Sequence, residues 1–326
     1  MTGDSLSSPR IAVVGSYATG LTMKAARIPG PGETLLGTGY RVDYGGKGSN
    51  QAVGCARLGG HVKFVAKIGK DSFGEMALGL YRDEGIDVSF VQQTAEAPTG
   101  VGFIVVEEST GQNSIVLDPG ANELLTAADV LAAQAALQSA SVVLTQLEIP
   151  VQAAEAAMAA GRKARAVTIL NPAPVRPLPA SLLGVVDVLT PNETEARVLA
   201  GRAPERAIEP EMLGQELIRM GVRQVVMTLG EKGALLITAT SSKHFPVLKM
   251  QAVDTTGAGD AFNAGLATAL AHGATIEQAV QFAVVIGGMA VTKEGVIPAL
   301  PRRDEVLQFF CQRDLAAPQW LGAATG

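Results

Sequence analysis

Between residues 254 and 265 the chain reads DTTGAGDAFNAG. Two carboxylates, Asp254 and Asp260, flank a turn of threonine, glycine and alanine that runs into an alanine-rich stretch. Phe262, Leu266 and Leu270 recur every four residues and Gly273 follows, so the spacing predicts a buried helix ending there. Gly257, Ala258 and Gly259 then lie at a helix N-terminus. Backbone N–H groups at that end lack partners within the helix, and the helix dipole adds positive partial charge. Small side chains leave the end open, which suits phosphate oxygens or negative charge developing in a transition state. Asp260 beside such a hole is placed to take a proton from an attacking hydroxyl, help typically worth about 10²–10⁴ in rate. An aspartate in a first helical turn also simply complements the dipole. The second acid upstream and the motifs elsewhere favour chemistry.

A second motif, GGKGSNQAVGCARLGG at 45–60, sets small and polar residues before an apolar stripe of Ala52, Val53 and Ala56. It is not a Walker A loop, because Gly-Lys-Gly replaces Gly-Lys-Ser/Thr and Arg41 stands where the first glycine would be. Its bare backbone permits close approach of a polar ligand, with Asn50 offering a donor and an acceptor to hydroxyls. The alternative is an ordinary capped loop. In TPNETEA, 190–196, both Thr190–Glu193 and Asn192–Glu195 have capping-box spacing. The functional alternative has Asn192 and Glu195 on one helix face, holding water around a Mg²⁺–phosphate group. TLGEKGA, 228–234, is a strand end with two glycines that suits a nucleotide phosphate.

Several function classes are excluded by the rest of the chain. VVGSYATG after the first strand lacks the Gly-x-Gly of a dinucleotide fold, and no acid follows at the ribose-reading distance. Net charge is −5, aromatics are 4% and no basic run occurs, which argues against nucleic acid and anionic membranes as partners. Cys55 and Cys311, with His61, His244 and His272, are scattered without metal-like spacing, so a reducing cytoplasm is expected. The longest apolar window, 282–291, is too short to span a bilayer. Residues 1–9 read as a flexible leader.

These residues need a frame. Apolar runs at 11–15, 62–69, 141–147, 166–170, 185–190 and 224–230 alternate with helical patterns at 72–84, 127–137, 151–163, 193–200 and 211–220. Such alternation predicts an α/β fold, a mainly parallel central sheet with helices on both faces. With 326 residues, 47% hydrophobic, and no linker or repeat, the chain reads as a single domain over 1–326. Two segments break the alternation. Residues 17–44 are glycine-rich with little helical period, and 99–117 read as two short strands. A β-flap over the strand ends is expected from them.

Taken together, the motifs resemble the ribokinase-like (PfkB) family of carbohydrate kinases, from about Ile11 to Arg313. GGKGSNQAV is similar to the family's first signature and DTTGAGDAFNAG to its second, with QLEIP, LNPAP and TPNETEA between them in the family's order. The resemblance implies transfer of the ATP γ-phosphate to a primary hydroxyl of a small sugar, beneath a small β-sheet lid that also builds a homodimer. By it, Asp260 matches the catalytic base, and Gly257, Ala258 and Gly259 the anion hole. Gly46, Lys47, Gly48, Ser49, Asn50 and Glu148 match substrate-side positions. Asn192, Thr228, Gly230, Glu231, Lys232, Gly233, Gly259 and Val284 match ATP-binding positions, and Glu195 the residue near Mg²⁺. Asp254, Thr256, Ala290, Lys293 and Gly295 match a loop for K⁺, partly through backbone carbonyls.

The departures bear on the acceptor. Family members acting on ribose are expected to carry an Asn and an Asp just after the first strand, where this chain has Ala18 and Gly20. An unpaired buried hydroxyl costs about 1–3 kcal/mol, so ribose binding is expected to weaken unless Tyr17, Thr19 or water compensates. Val284 replaces a His near the adenine, and Ala299 a Ser near the cation loop. The alternatives are the same chemistry on a nucleoside or other non-ribose acceptor, or a non-catalytic sugar-binding regulator. A nucleoside would need an apolar lid surface, for which Tyr17, Tyr40 and Phe103 are the candidates. A phosphorylated sugar would need a basic cluster, for which Lys24, Arg27 and Arg41 are available, although solvated surface charge also explains them.

Overall fold

Each apolar run read from the sequence lies in one sheet. The computed structural model describes residues 9–203 and 207–322; the expected leader at 1–9 falls, apart from Pro9, outside the described residues. The chain begins β1 (Arg10–Val14), β2 (Ala18–Ala25), β3 (Thr38–Gly45), α1 (Lys47–Arg57), β4 (His61–Gly69) and α2 (Ser72–Asp83). Then come β5 (Asp87–Thr94), β6 (Gly100–Glu107), β7 (Asn113–Asp118), α3 (Ala127–Ala132), α4 (Gln134–Ser139), β8 (Val142–Thr145) and α5 (Val151–Lys163). Next are β9 (Val167–Leu170), α6 (Ala180–Leu183), β10 (Val188–Leu189), α7 (Glu193–Leu199), α8 (Pro210–Arg219) and β11 (Gln224–Thr228). The chain closes with β12 (Ala234–Ile237), β13 (Ser242–Phe245), α9 (Ala258–Ala271), α10 (Ile276–Ala290), α11 (Arg303–Gln312) and α12 (Gln319–Gly322).

The large sheet has the order β13-β12-β11-β10-β9-β8-β1-β4-β5. Every pairing from β11 to β5 is parallel, and β12 and β13 add antiparallel strands at one edge. Alternate side chains of one strand serve opposite cores. Ile11 and Val13 join α1, α2, α9, α10 and α11 on one face, while Ala12 and Val14 join α3 to α8 on the other. The edge strands β5 and β13 escaped the sequence reading because their residues are mostly half-buried or exposed and polar. The helix expected over 127–137 is two short ones that meet at Ala133.

The chain winds one way from β1 to β4 and β5, then returns to β8 on the other side of β1. The loops leaving β1 and β8 therefore diverge, and a crevice opens at their carboxyl ends. The two irregular segments form a separate four-stranded sheet, β3-β2-β6-β7, in which β2 and β6 are parallel and the outer pairs antiparallel. At the far end, Trp320 of α12 stacks on His272 with ring centroids 4.5 Å apart, fastening the C-terminal segment beside α9.

Candidate active site

Helices α1 and α9 meet with almost no space between them. A Cβ added at Gly54 would stand 2.6 Å from the Ala264 Cβ, so only glycine permits this crossing. One helical turn towards each N-terminus lie Asn50 and Asp260, and Asn50 Nδ2 donates to Asp260 Oδ2 at 2.8 Å. Gln51 Nε2 donates to the other oxygen at 2.9 Å and also reaches Asn171 Oδ1 at 3.1 Å. Gln146 Nε2 donates to Gln51 Oε1. Asn171 continues to the Thr190 carbonyl, the Thr190 hydroxyl donates to Asn263, and Asn263 donates to the Gly259 carbonyl. Burial raises the Asp260 pKa above the ordinary carboxylate range, against the Lys47 charge and the Asn50 and Gln51 hydrogen bonds. Such a carboxylate is a stronger base than a solvated one.

The first signature supplies the opposite wall. Gly46, at φ +86°, caps α1, and a Cβ there would press on the Tyr17 backbone. Gly48 packs on the backbone of Gly15 and Ser16. Glu148 Oε2 accepts from the Lys47 amide at 2.8 Å and the Ser16 hydroxyl at 2.6 Å, so it caps α1 across the crevice. Burial opposes the charge on Lys47, but Asp260, Glu148 and Glu195 hold its pKa above the ordinary lysine value. Asn50 Oδ1 is buried and accepts no hydrogen bond. Ser49 is fully buried, and its amide donates to the Ser16 carbonyl at 2.8 Å.

The helix N-terminus expected at 257–259 is where α9 begins. Gly257 is the left-handed N-cap at φ +78°, with Val296 packed where a side chain would project. A Cβ at Gly259 would meet nothing within 4 Å, so that side of the turn is open. Asp254 joins two loops: Oδ1 accepts from the Thr256 amide at 2.9 Å and Oδ2 from the Gly295 amide at 3.0 Å. Burial would raise its pKa, but these bonds and the Arg41 charge bring it below the ordinary value. Ala290 is buried at the end of α10, and the Lys293 ammonium extends away to Glu305 at 2.6 Å.

Asn192 and Thr228 are brought together by a parallel bridge between their backbones. Asn192 is the N-cap of α7, forming a complete capping box with Glu195, so the structural reading of that pair holds. Glu195 nonetheless lies close enough to Lys47 and Asp260 to feel both charges, and burial raises its pKa. The other candidate box does not form, because Thr190 turns inward to Asn263. Gly230–Lys232 make a single 3-10 turn closed by Gly233 at φ +102°, beneath which the Phe245 carbonyl leaves no room for a side chain. Val284 is buried in the α10 core.

In the small sheet, Tyr17 does not join a lid surface. It is fully buried, its hydroxyl pairs with Thr19, and its ring lies edge-on to Tyr81. Tyr40 and Phe103 are exposed, on the strand face opposite Arg41. The basic residues do not cluster either: Arg27 pairs with Glu33, while Arg41 pairs with Asp43 and with Glu294. Sequence reading missed Ser16, Gln51, Gln146 and Asn171. Their signal was a polar residue at the end of an apolar run, in VVGS, VVLTQ and TILN, or inside the buried stripe of α1.

Comparison with known proteins gives the site its context. The family model for the pfkB family of carbohydrate kinases matches residues 8–303. A ribokinase of Haemophilus influenzae is 37% identical over 300 residues, covering 92% of this chain and 98% of its own. A deoxyribokinase of Salmonella typhimurium is 32% identical over 301 residues, covering 92% and 98%. The Arabidopsis thaliana ribokinase structure, complexed with ribose and ATP, superposes with a TM-score of 0.86 at 32% identity, covering 92% of this chain and 98% of that one. The protein belongs to the PfkB family of carbohydrate kinases.

Proposed function

We propose that this kinase phosphorylates a primary hydroxyl of a small sugar of the ribose type, with ATP as donor. The observation that carries the reading is a buried carboxylate, Asp260, fixed by Asn50 and Gln51 at the open N-terminus of α9. The sugar hydroxyl gives its proton to Asp260 as its oxygen bonds to the γ-phosphorus. The bond from that phosphorus to the β-γ bridging oxygen breaks, leaving sugar phosphate and ADP. Amides at 257–259 meet the charge on the transferred group, so catalysis is mainly positioning and electrostatics. The unpaired Asn50 Oδ1 and the Glu148 carboxylate suit sugar hydroxyls, and Asn192, Thr228 and the 230–233 turn suit the nucleotide.

Among the described residues no three His, Cys, Asp or Glu side chains converge on a metal position. Glu195 and Asn192, paired at the start of α7 with Glu195 close to Asp260, would hold water of a Mg²⁺ brought with the nucleotide, which would neutralise the phosphates. Asp254 ties 254–256 to 293–295 through the Thr256 and Gly295 amides, and the backbone carbonyls of these two loops would be the donors for K⁺. The four-stranded sheet acts as the lid of a single kinase domain, and its apolar outer face serves a homodimer. The reaction belongs in the cytoplasm, where ATP is available. The test is ADP release with ATP, Mg²⁺ and K⁺ over ribose, other pentoses, ketoses, polyols and nucleosides. A sugar should be the preferred acceptor, and Asp260→Asn should lose at least about 10²-fold in rate. A nucleoside as best acceptor, or an Asp260→Asn variant of full activity, would overturn the reading.

A further inference from the structure

The strand position left bare by Gly20 has a carboxylate directly across from it. Gly20 of β2 pairs with Asp43 of β3, and paired residues share a sheet face. A Cβ built at Gly20 would lie 3.8 Å from the Asp43 Cβ and 3.6 Å from Ile104 Cδ1, both ordinary contacts. Arg41, on the same face of β3, shows where that face looks. Its Nη1 reaches Glu294 at 3.3 Å, in the loop that Asp254 ties to the start of α9. Arg41 Nε donates to Asp43 Oδ2 at 2.6 Å, which holds the carboxylate in place. Oδ1 accepts no hydrogen bond from the described residues, and the Asp43 side chain keeps 35% of its surface.

Resting on the sugar kinase reading above, we propose that Asp43 is the specificity-determining residue of the acceptor site. Its Oδ1 accepts a hydrogen bond from a secondary hydroxyl of the sugar, and Arg41 positions it. The carboxylate is thus supplied by β3, and Gly20 leaves the floor on which the ring lies. A simple surface ion pair would make no difference between acceptors that differ by one hydroxyl. A specificity residue would.

The experiment compares the wild type's best sugar with its 2-deoxy and 3-deoxy analogues. Asp43→Asn should raise KM for the sugar about tenfold to a hundredfold, leave KM for ATP unchanged, and erase the preference over one deoxy analogue. The double variant Gly20→Asp/Asp43→Ala, which returns a carboxylate to the same face from the neighbouring strand, should restore much of that preference. Unchanged sugar KM in Asp43→Asn overturns the inference. So does an equal rise for the sugar and both analogues, which marks a structural role. A wild type that turns over no sugar removes the kinase reading itself, an outcome distinct from either.

Discussion

Asp260 owes its basicity to opposing influences that can be separated experimentally. In the proposed reaction its ionised form takes the proton, so kcat/KM is expected to rise with pH through its pKa in the free enzyme. Burial raises that pKa, while Lys47, Asn50 and Gln51 pull it down. The acid limb of the pH profile is therefore expected above the ordinary aspartate value of about 4. Gln51→Leu removes a donor that favours the ionised form, so the limb moves to higher pH. The substitution also strands a buried carboxylate oxygen, at a cost of about 1–3 kcal/mol in stability. A pH series with thermal melts checks both, and an unmoved limb would separate Gln51 from the chemistry. The placement of Asp260 in a first helical turn was legible in the sequence because its neighbours are glycine and alanine. Gln51 was not, because the spacing inside GGKGSNQAVG records helical period but not the partner 209 residues away. The burial of Ser49 was not legible for the same reason: in that motif a buried hydroxyl and an exposed one are spelled alike.

At the scale of elements, the site exists because α1 and α9 cross closely enough for Asn50 to reach Asp260. The contact that sets the distance is Gly54 against Ala264. Gly54→Ala puts two methyl carbons 2.6 Å apart unless the helices separate. Overpacking of this kind costs about 1–3 kcal/mol, and the shift lengthens the Asn50–Asp260 hydrogen bond one turn away. Activity should fall with stability, and Ala264→Gly in the same chain should recover both by restoring the gap. If Gly54→Ala keeps full kcat, the crossing does not set the catalytic geometry. The helices and parallel strands themselves were readable, since strands buried on both faces appear as unbroken apolar runs and amphipathic helices keep their period. Strands β5, β12 and β13 were not. The edge strands carry polar, partly exposed residues, and ALLI in β12 is too short to distinguish from a helix by pattern.

For the whole molecule, the outer face of the four-stranded sheet remains to be covered. Val42, Tyr40, Phe103 and Val116 lie on the face opposite Arg41, with 38%, 64%, 56% and 71% of their surface exposed. Exposed apolar side chains gathered on one flat sheet mark an interaction surface more often than chance solvent contact. A second copy of the chain is the occupant that the homodimer reading requires, because a two-fold pairing sets the same patch against itself and closes without further growth. Each lid would then be stiffened by its partner, and the face bearing Gly20 and Asp43 would be held over the sugar. Light scattering on the eluting protein should give twice the 33.6 kDa chain mass. Val42→Glu/Phe103→Glu sets like charges across the two-fold and should yield monomers whose core melts near the wild-type temperature. Those monomers should show a raised sugar KM, since an unsupported lid spends less time closed and only the closed fraction binds productively. A wild type that is monomeric at every concentration would leave the lid acting alone. Full sugar affinity in the glutamate variant would mean that pairing, where it occurs, has no part in closure.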